Sequence, residues 1–404
     1  MDKKCIDIKS KKDCCGCRNC ENICPKHAIK MVEDEEGFLY PTVDKEKCVN
    51  CGLCRKVCPW LNEIKNKESF IPICYAVKNK DKNVQKLSSS GGAFGVLANV
   101  ILVQNGYVCA SVMNDSFIVS HAITDNKKDL VKMYGSKYVI SDLKDNFLTI
   151  KKLLNENKKV LFCGVPCQVN ALLNFFQKNY ENLYTVEIIC HGVPSQKLFS
   201  KYIEYLEKKD NCKVLKYEFR NKKAAYWGTY KALVTTKKNG KKYEKKINAD
   251  LDKYYSNFLK ANCHRESCYV CKYAKKERNA DITIGDFWGI EHIKPNFIDK
   301  NGVSEIIINT KKGEKLFEIV KNNIEYEMVN FSEVIKYNKQ LESPSKRLKN
   351  RDDFYKGIDD DDYFKNVSVN KNIKSYLKMF IPSSLKIYIK KIQRKRWIKL
   401  WKRK

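Results

Sequence analysis

The sequence predicts a multidomain protein combining the α+β and α/β classes. It reads as a bacterial-type two-cluster ferredoxin module, then a mixed α/β domain, then a basic helical tail. Three observations lead there: two cysteine runs inside the first sixty residues, alternating strand-like and helix-like segments from Ile71 onward, and an end of the chain rich in cations and free of acids. A length of 404 residues exceeds what one small core accommodates. The expected units are 1–62, 71–340 and 341–404.

The first unit rests on spacing. Cys14-x2-Cys17-x2-Cys20-x3-Cys24-Pro25 is followed by Cys48-x2-Cys51-x2-Cys54-x3-Cys58-Pro59. In two-cluster ferredoxins the last cysteine of each run serves the other cluster. Cys14, Cys17, Cys20 and Cys58 are therefore expected around one [4Fe-4S] cluster, and Cys48, Cys51, Cys54 and Cys24 around the other. Cys15 falls out of register as a bystander. Lys26 to Ile29 and Gly37 to Val43 are expected to supply a short helix and strands, and Leu61 to Ser69 a linker. A pair of zinc knuckles is the alternative, but zinc sites pair short hooks and do not require eight interleaved ligands with both prolines.

Composition supports metal chemistry over disulfides. Nineteen cysteines in a chain this long suit a reducing compartment, because disulfide-dense proteins are small and secreted. With no run of 18 apolar residues and no apolar leader after Met1, the expected location is the cytoplasm. The net charge of +31 favours anionic partners such as acidic redox proteins, phosphorylated cofactors or anionic lipid. Nucleic acid is a minor reading, since no binding motif for it is present.

In the second unit, Ser88-Ser-Ser-Gly-Gly92 opens the apolar segment Phe94 to Val103, of helix length. Exposed N–H groups there would cradle a phosphate, although a plain serine cap explains the same residues. Lys159 to Cys163 and Leu183 to Ile189 read as buried strands that deliver Gly164-Val165-Pro166-Cys167-Gln168 and Cys190-His191-Gly192 to one sheet edge, where α/β proteins bind ligands. Arg220 and Lys222, with Tyr226-Trp227, suit a phosphate or a flat ring, or a solvated strand edge. Asn239-Gly240 predicts a β-hairpin. Cys263-x4-Cys268-x2-Cys271 supplies three soft ligands and lacks a fourth. The strand Asp281 to Ile284 ends in Gly285-Asp286-Phe287-Trp288-Gly289.

The order Ser90-Gly91-Gly92, Gly135-Ser136-Lys137-Tyr138, Gly164-Val165-Pro166-Cys167-Gln168, Cys190 to Ser195, Phe219 to Lys222, the third cysteine group and Gly285 to Gly289 resembles the coenzyme F-420 hydrogenase/dehydrogenase beta-subunit family. The resemblance spans roughly residues 1 to 340. It implies a flavin-binding catalytic domain, FAD, and a third [4Fe-4S] cluster held by Cys263, Cys268 and Cys271. Cys190 is the expected fourth ligand, ahead of Cys167 and then Cys163. A zinc site completed by His264 or His191 is the alternative. Flavin contacts are expected from Ser90, Gly91, Gly92, Lys137, Gly164, Pro166 and Asp286; no catalytic residue is assigned. The implied activity is that of an oxidoreductase passing electrons between a donor such as a ferredoxin and a small-molecule substrate. A non-catalytic electron-transfer subunit is the alternative.

From Lys371 the tail carries 13 Lys and Arg and no acid, with Leu385, Ile389, Ile392, Trp397, Leu400 and Trp401 among the cations. An amphipathic helix of this kind suits the anionic inner face of a membrane, where each cation contributes about 1 kcal/mol.

Overall fold

The computed structural model describes residues 5–64 and 70–369. Its centre is an eight-stranded mixed sheet. In chain order the strands of the molecule are β1 (Ile29–Glu33), β2 (Leu39–Val43), β3 (Ile73–Asn79), β4 (Tyr107–Met113), β5 (Val119–Thr124), β6 (Val160–Gly164), β7 (Leu183–Ile188), β8 (Lys213–Glu218), β9 (Lys231–Lys238), β10 (Lys241–Asn248), β11 (Ile282–Asp286), β12 (Ser304–Ile308) and β13 (Ile324–Val329). The large sheet runs β13-β3-β12-β11-β7-β6-β4-β5. Strands β4, β6, β7 and β11 are mutually parallel, so their C-terminal ends share one edge.

Alternation along β6 shows why the sheet is covered twice. Leu161 and Cys163 enter a core with helices Ala93–Val103 and Lys311–Val320, whereas Val160 and Phe162 enter another with Asn146–Asn155 and Pro166–Phe176. Strands buried on both faces need apolar residues at every position, as β6 has.

A second, three-stranded sheet, β10-β9-β8, packs with helices Gln196–Asp210 and Lys253–Leu259 around an aromatic core. Its hairpin turns on Asn239 and Gly240, both at positive φ (48° and 76°), the pairing that a two-residue turn between twisted strands requires.

The ferredoxin module is small: β1 pairs with β2, and the two short helices are Asn19–Asn22 and Leu53–Lys56. The helix expected at Lys26 to Ile29 is therefore displaced, since Ile29 already begins β1 and Asn19 has turned before it. Asn19 explains the change. Its buried amide donates to Val57 O (2.9 Å) and Ala171 O (2.7 Å), tying the first cysteine run to the second and to the α/β domain.

The stretch expected to begin the tail is structured instead. Residues Arg351–Tyr355 and Tyr363–Asn366 are helical, and Tyr355, Ile358, Tyr363 and Phe364 complete the aromatic core. The cationic segment from Leu385 onward, with its proposed membrane-surface helix, lies outside the described residues. Among the described residues no helix is long and apolar enough to cross a membrane.

Candidate cluster sites and cofactor cavity

The first sixty residues bring their cysteines to two separate cavities. One is lined by Cys14, Cys15, Cys17, Cys20 and Cys58, and the other by Cys24, Cys48, Cys51 and Cys54, with Cys5 beside them. Backbone N–H groups point at the sulfurs: Gly16 N lies 3.4 Å from Cys14 Sγ, Ala28 N 3.3 Å from Cys24 Sγ and Ile6 N 3.1 Å from Cys54 Sγ. Hydrogen bonds of this kind stabilise thiolate charge, and in clustered sites they set the potential. Cys51 is exposed whereas Cys20 and Cys58 are buried, so the second cavity faces outward and the first faces the α/β domain.

A third group of thiols gathers beyond the first cavity, with a membership that differs from the expected one. Cys190 follows the end of β7, Cys167 lies in the first turn of Pro166–Phe176, and Cys268 and Cys271 come from the 3-10 turn Glu266–Val270 and its end. These four are electrostatic neighbours of one another. The sulfurs of Cys190 and Cys268 face the backbone N–H groups of Gly192 and Val193, and that of Cys271 faces Tyr273 and Ala274. Burial pushes the Cys190 thiol up to about 12 and raises those of Cys268 and Cys271. Neutral thiols crowded in an apolar place and furnished with N–H donors fit a polynuclear cation, which would hold them as thiolates.

Cys263 is not among them, which corrects the expected ligand set. It is 0% exposed in the aromatic core, where Tyr355 Oη donates to its carbonyl at 2.8 Å and Tyr254 and Phe258 pack nearby. The turn that carries Cys268 and Cys271 to their group leaves Cys263 behind. Cys15, dismissed from spacing alone, comes within hydrogen-bond reach of both Cys17 and Cys167 and so stands between the first cavity and the third group. The two histidines considered for zinc are committed elsewhere: His264 Nε2 lies 3.2 Å from Phe258 O and His191 Nε2 3.1 Å from Leu259 O. Among the described residues no three His, Cys, Asp or Glu side chains converge on a single-ion position. Gly192, at φ 132°, is needed here because a Cβ would lie 2.1 Å from the His264 ring.

The third group adjoins a cavity of about 500 Å³ at the C-terminal ends of β6, β7 and β11. Ser90, Gly92, Lys137, Gly164 and Asp286 line it, together with Cys163, Cys167 and Cys190. Gly91 and Pro166 do not. Gly91 is pressed against the sheet, where a Cβ would meet Val77 O at 2.3 Å, and Pro166 is the buried first residue of its helix.

Two helices begin at the cavity, Ala93–Val103 and Pro166–Phe176. The first starts at Gly92 with no side-chain cap, leaving its first N–H groups for a ligand. The Ser90 hydroxyl is spent on Val303 O (2.7 Å), so the backbone offers the donors there.

Lys137 also differs from a free phosphate clamp. Its ammonium donates to the carbonyls of Met133, Tyr134 and Gly135 at 3.0–3.3 Å, and burial lowers its pKa to about 7. Asp286 is held by Arg220 (2.7 and 3.2 Å) and by the Trp227 indole N–H (2.6 Å). Arg220 in turn lies over the Tyr230 and Trp288 rings, giving the cavity a flat cationic and aromatic wall.

Volume, phosphate-type donors and a planar wall together fit a dinucleotide-sized planar cofactor such as FAD. Sequence reasoning missed His121, whose Nε2 lies 3.1 Å from Cys163 O and Nδ1 2.8 Å from Ser141 Oγ beside the same cavity. No local motif marks it.

Residues 157–334 match the C-terminal family model of the coenzyme F420 hydrogenase/dehydrogenase beta subunit, and residues 13–62 match the 4Fe-4S dicluster domain. The chain carries this family's beta-subunit domain behind a dicluster ferredoxin domain. Relatives of the beta-subunit family include the coenzyme F420-dependent sulfite reductase of Methanocaldococcus jannaschii, 26% identical over 335 residues. That match takes in 80% of this chain and only 48% of the reductase, so the chain spans about half of that protein's length. An uncharacterized ferredoxin of the same organism is 38% identical over 52 residues, 13% of this chain and 66% of that one. A chain of the F420-reducing [NiFe] hydrogenase complex from Methanosarcina barkeri aligns with a TM-score of 0.44 at 18% identity, over 66% of this chain and 89% of that one.

Within this beta-subunit domain, Glu305 supports the Asp286 wall through Asn338, which donates to Glu305 Oε2 (2.6 Å) and to Asp286 O (3.1 Å). Burial raises the Glu305 carboxyl to about 8. The folded protein therefore keeps a proton on Glu305 at neutral pH that the unfolded chain loses above about 4.5. Stability contributed by this group is full below the unfolded value and falls as pH rises toward 8, because the native state binds more protons. Glu305→Gln should flatten that fall, measured by denaturant midpoints at about pH 5.5 and 8; an unchanged slope would refute the assignment.

Proposed function

We propose that the chain is an iron–sulfur flavoprotein oxidoreductase that moves electrons between a redox protein and a small-molecule substrate. The observation that carries this reading is the alignment of thiol groups toward the cavity. The outward-facing second cavity is followed by the first, then by Cys15 against Cys167, and then by the group that lines the cofactor cavity.

In this reading Cys14, Cys17, Cys20 and Cys58 hold one [4Fe-4S] cluster, Cys48, Cys51, Cys54 and Cys24 a second, and Cys167, Cys190, Cys268 and Cys271 a third. FAD bound in the cavity would supply the exchange between single electrons and a hydride. The N-terminus of Ala93–Val103 and Gly92 would bind its phosphates, and Gly164 admits the ligand close to the sheet edge. The Arg220–Asp286 pair, stacked on Tyr230 and Trp288, orients the planar part and brings positive charge near it. His121, neutral because burial lowers it to about 4, supplies a hydrogen-bonding edge and no charge. The exposed Cys51, with Val49 and Leu53 exposed beside it, marks the side on which a donor such as a ferredoxin would dock.

Anaerobic purification with iron, sulfide and flavin analysis tests the proposal. About twelve irons and one flavin per chain are expected. About eight irons would remove the third cluster, and failure to bind any flavin would overturn the oxidoreductase reading itself.

A further inference from the structure

Four arginines of the described residues are deeply buried, and three of them face a carboxylate. Arg351 pairs with Glu36, Arg278 lies 3.3 Å from Glu187, and Arg220 is forked on Asp286. Arg265, 1% exposed, forms no ion pair among the described residues. Its Nε donates to Cys14 O at 2.7 Å and one Nη to Leu39 O at 2.8 Å, and its guanidinium lies 4.1 Å from the Tyr40 ring centroid. The remaining Nη1 is buried and makes no hydrogen bond within the described protein. It points at the loop of the first cavity, where a Cβ on Gly16 would lie 3.1 Å from it. The charges nearest to it are the sulfurs of Cys14, Cys15 and Cys268. A buried cation surrounded by neutral acceptors is costly, so an anion is missing from its account.

We infer that Arg265 is a potential-setting residue, whose counter-ion is the thiolate-bound cluster of Cys14, Cys17, Cys20 and Cys58. It stands between that cluster and the group of Cys190, Cys268 and Cys271. A [4Fe-4S] centre with four thiolates carries a charge of about −2 and gains one more negative charge when it accepts an electron. A fixed cation beside it favours the reduced form and raises its potential. No proton needs to accompany the electron, because the guanidinium is always charged. The cluster of Cys24, Cys48, Cys51 and Cys54 has no such neighbour among Arg265's contacts, so the two ferredoxin clusters should differ, with the inner one easier to reduce. Electrons entering at the exposed cluster would then run downhill to the inner one.

The inference rests on the dicluster domain and not on the third cluster or on flavin. Redox titration followed by electron paramagnetic resonance, with dithionite as reductant, should show Arg265→Met lowering the potential of one ferredoxin cluster while the other stays in place. Arg265→Lys, which keeps the charge, should restore most of the shift. Unmoved potentials, an equal shift of both clusters, or no recovery with lysine would overturn it. If the methionine variant fails to hold clusters, unmutated protein with 15N-labelled arginine decides the matter. Electron–nuclear double resonance of the reduced inner cluster should show coupling to a guanidinium nitrogen, and its absence would overturn the inference. An iron content of about eight would remove the third cluster and leave this result standing.

Discussion

Replacing Cys190, Cys268 or Cys271 with serine is expected to lower the iron content by about four atoms of about twelve, while Cys263→Ser leaves it unchanged. Three of the four sequence positions are shared with the expectation from spacing; the contrast lies in Cys263. Its thiol faces Tyr254, Phe258 and Tyr355 and receives no backbone N–H, unlike those of Cys190, Cys268 and Cys271. Serine there places a hydroxyl in an aromatic core, at a cost of about 1–3 kcal/mol in stability, with the clusters retained. Cys167→Ser should behave like Cys190→Ser, since Cys167 neighbours both Cys190 and Cys271. Cys15→Ser should keep all the iron, because Cys15 belongs to the ferredoxin loop and touches the third group only through Cys167. Iron and sulfide analysis with Mössbauer spectroscopy reads each outcome. Loss of iron in the Cys263 variant with retention in the Cys190 variant would reverse the assignment.

The cysteine pattern shows what a sequence carries and where it stops. Local geometry was legible: the two ferredoxin runs, the strands β6, β7 and β11, the helix after Ser90-Gly91-Gly92 and the Asn239-Gly240 hairpin all depend on residues a few positions apart. The third cysteine group does not. Whether Cys263 or Cys167 joins Cys268 and Cys271 is decided by Tyr355, 92 residues along the chain, and by the Gly192 loop that admits His264. Gly91 was legible as a glycine with a purpose, but the purpose is its approach to Val77 O and Ser304 N. His121, Glu305 and Asn338 carry no motif at all; they matter through partners on other strands. The residues after Leu341 read as a tail because their aromatics are sparse and flanked by charge. Packing against the helix Gln196–Asp210 turned them into core.

Arg351→Met is expected to cost about 3–5 kcal/mol of stability, the penalty for stranding a buried carboxylate. Arg351 is 0% exposed and lies beyond the family match, yet it joins the ferredoxin module to the cysteine segment. Its guanidinium is forked on Glu36 of the β1–β2 turn, donates to His264 O at 2.9 Å and lies 3.3 Å from Glu266. Glu36→Gln should cost a similar amount, since it leaves the same guanidinium without its full counter-charge. The two losses should not add: once the pair is broken the second substitution removes a charge already stranded, so the double variant should be clearly more stable than the sum predicts. Lys356→Met, on an exposed neighbour at the end of the same helix, should stay within about 0.5 kcal/mol. Denaturant unfolding of the four variants measures these differences, and additive losses would show that Glu36 and Arg351 act through separate contacts. The position of the pair gives the result a functional edge. Arg351 holds the backbone immediately before Arg265, so loosening it should also broaden the cluster signals that depend on Arg265, even where the fold survives.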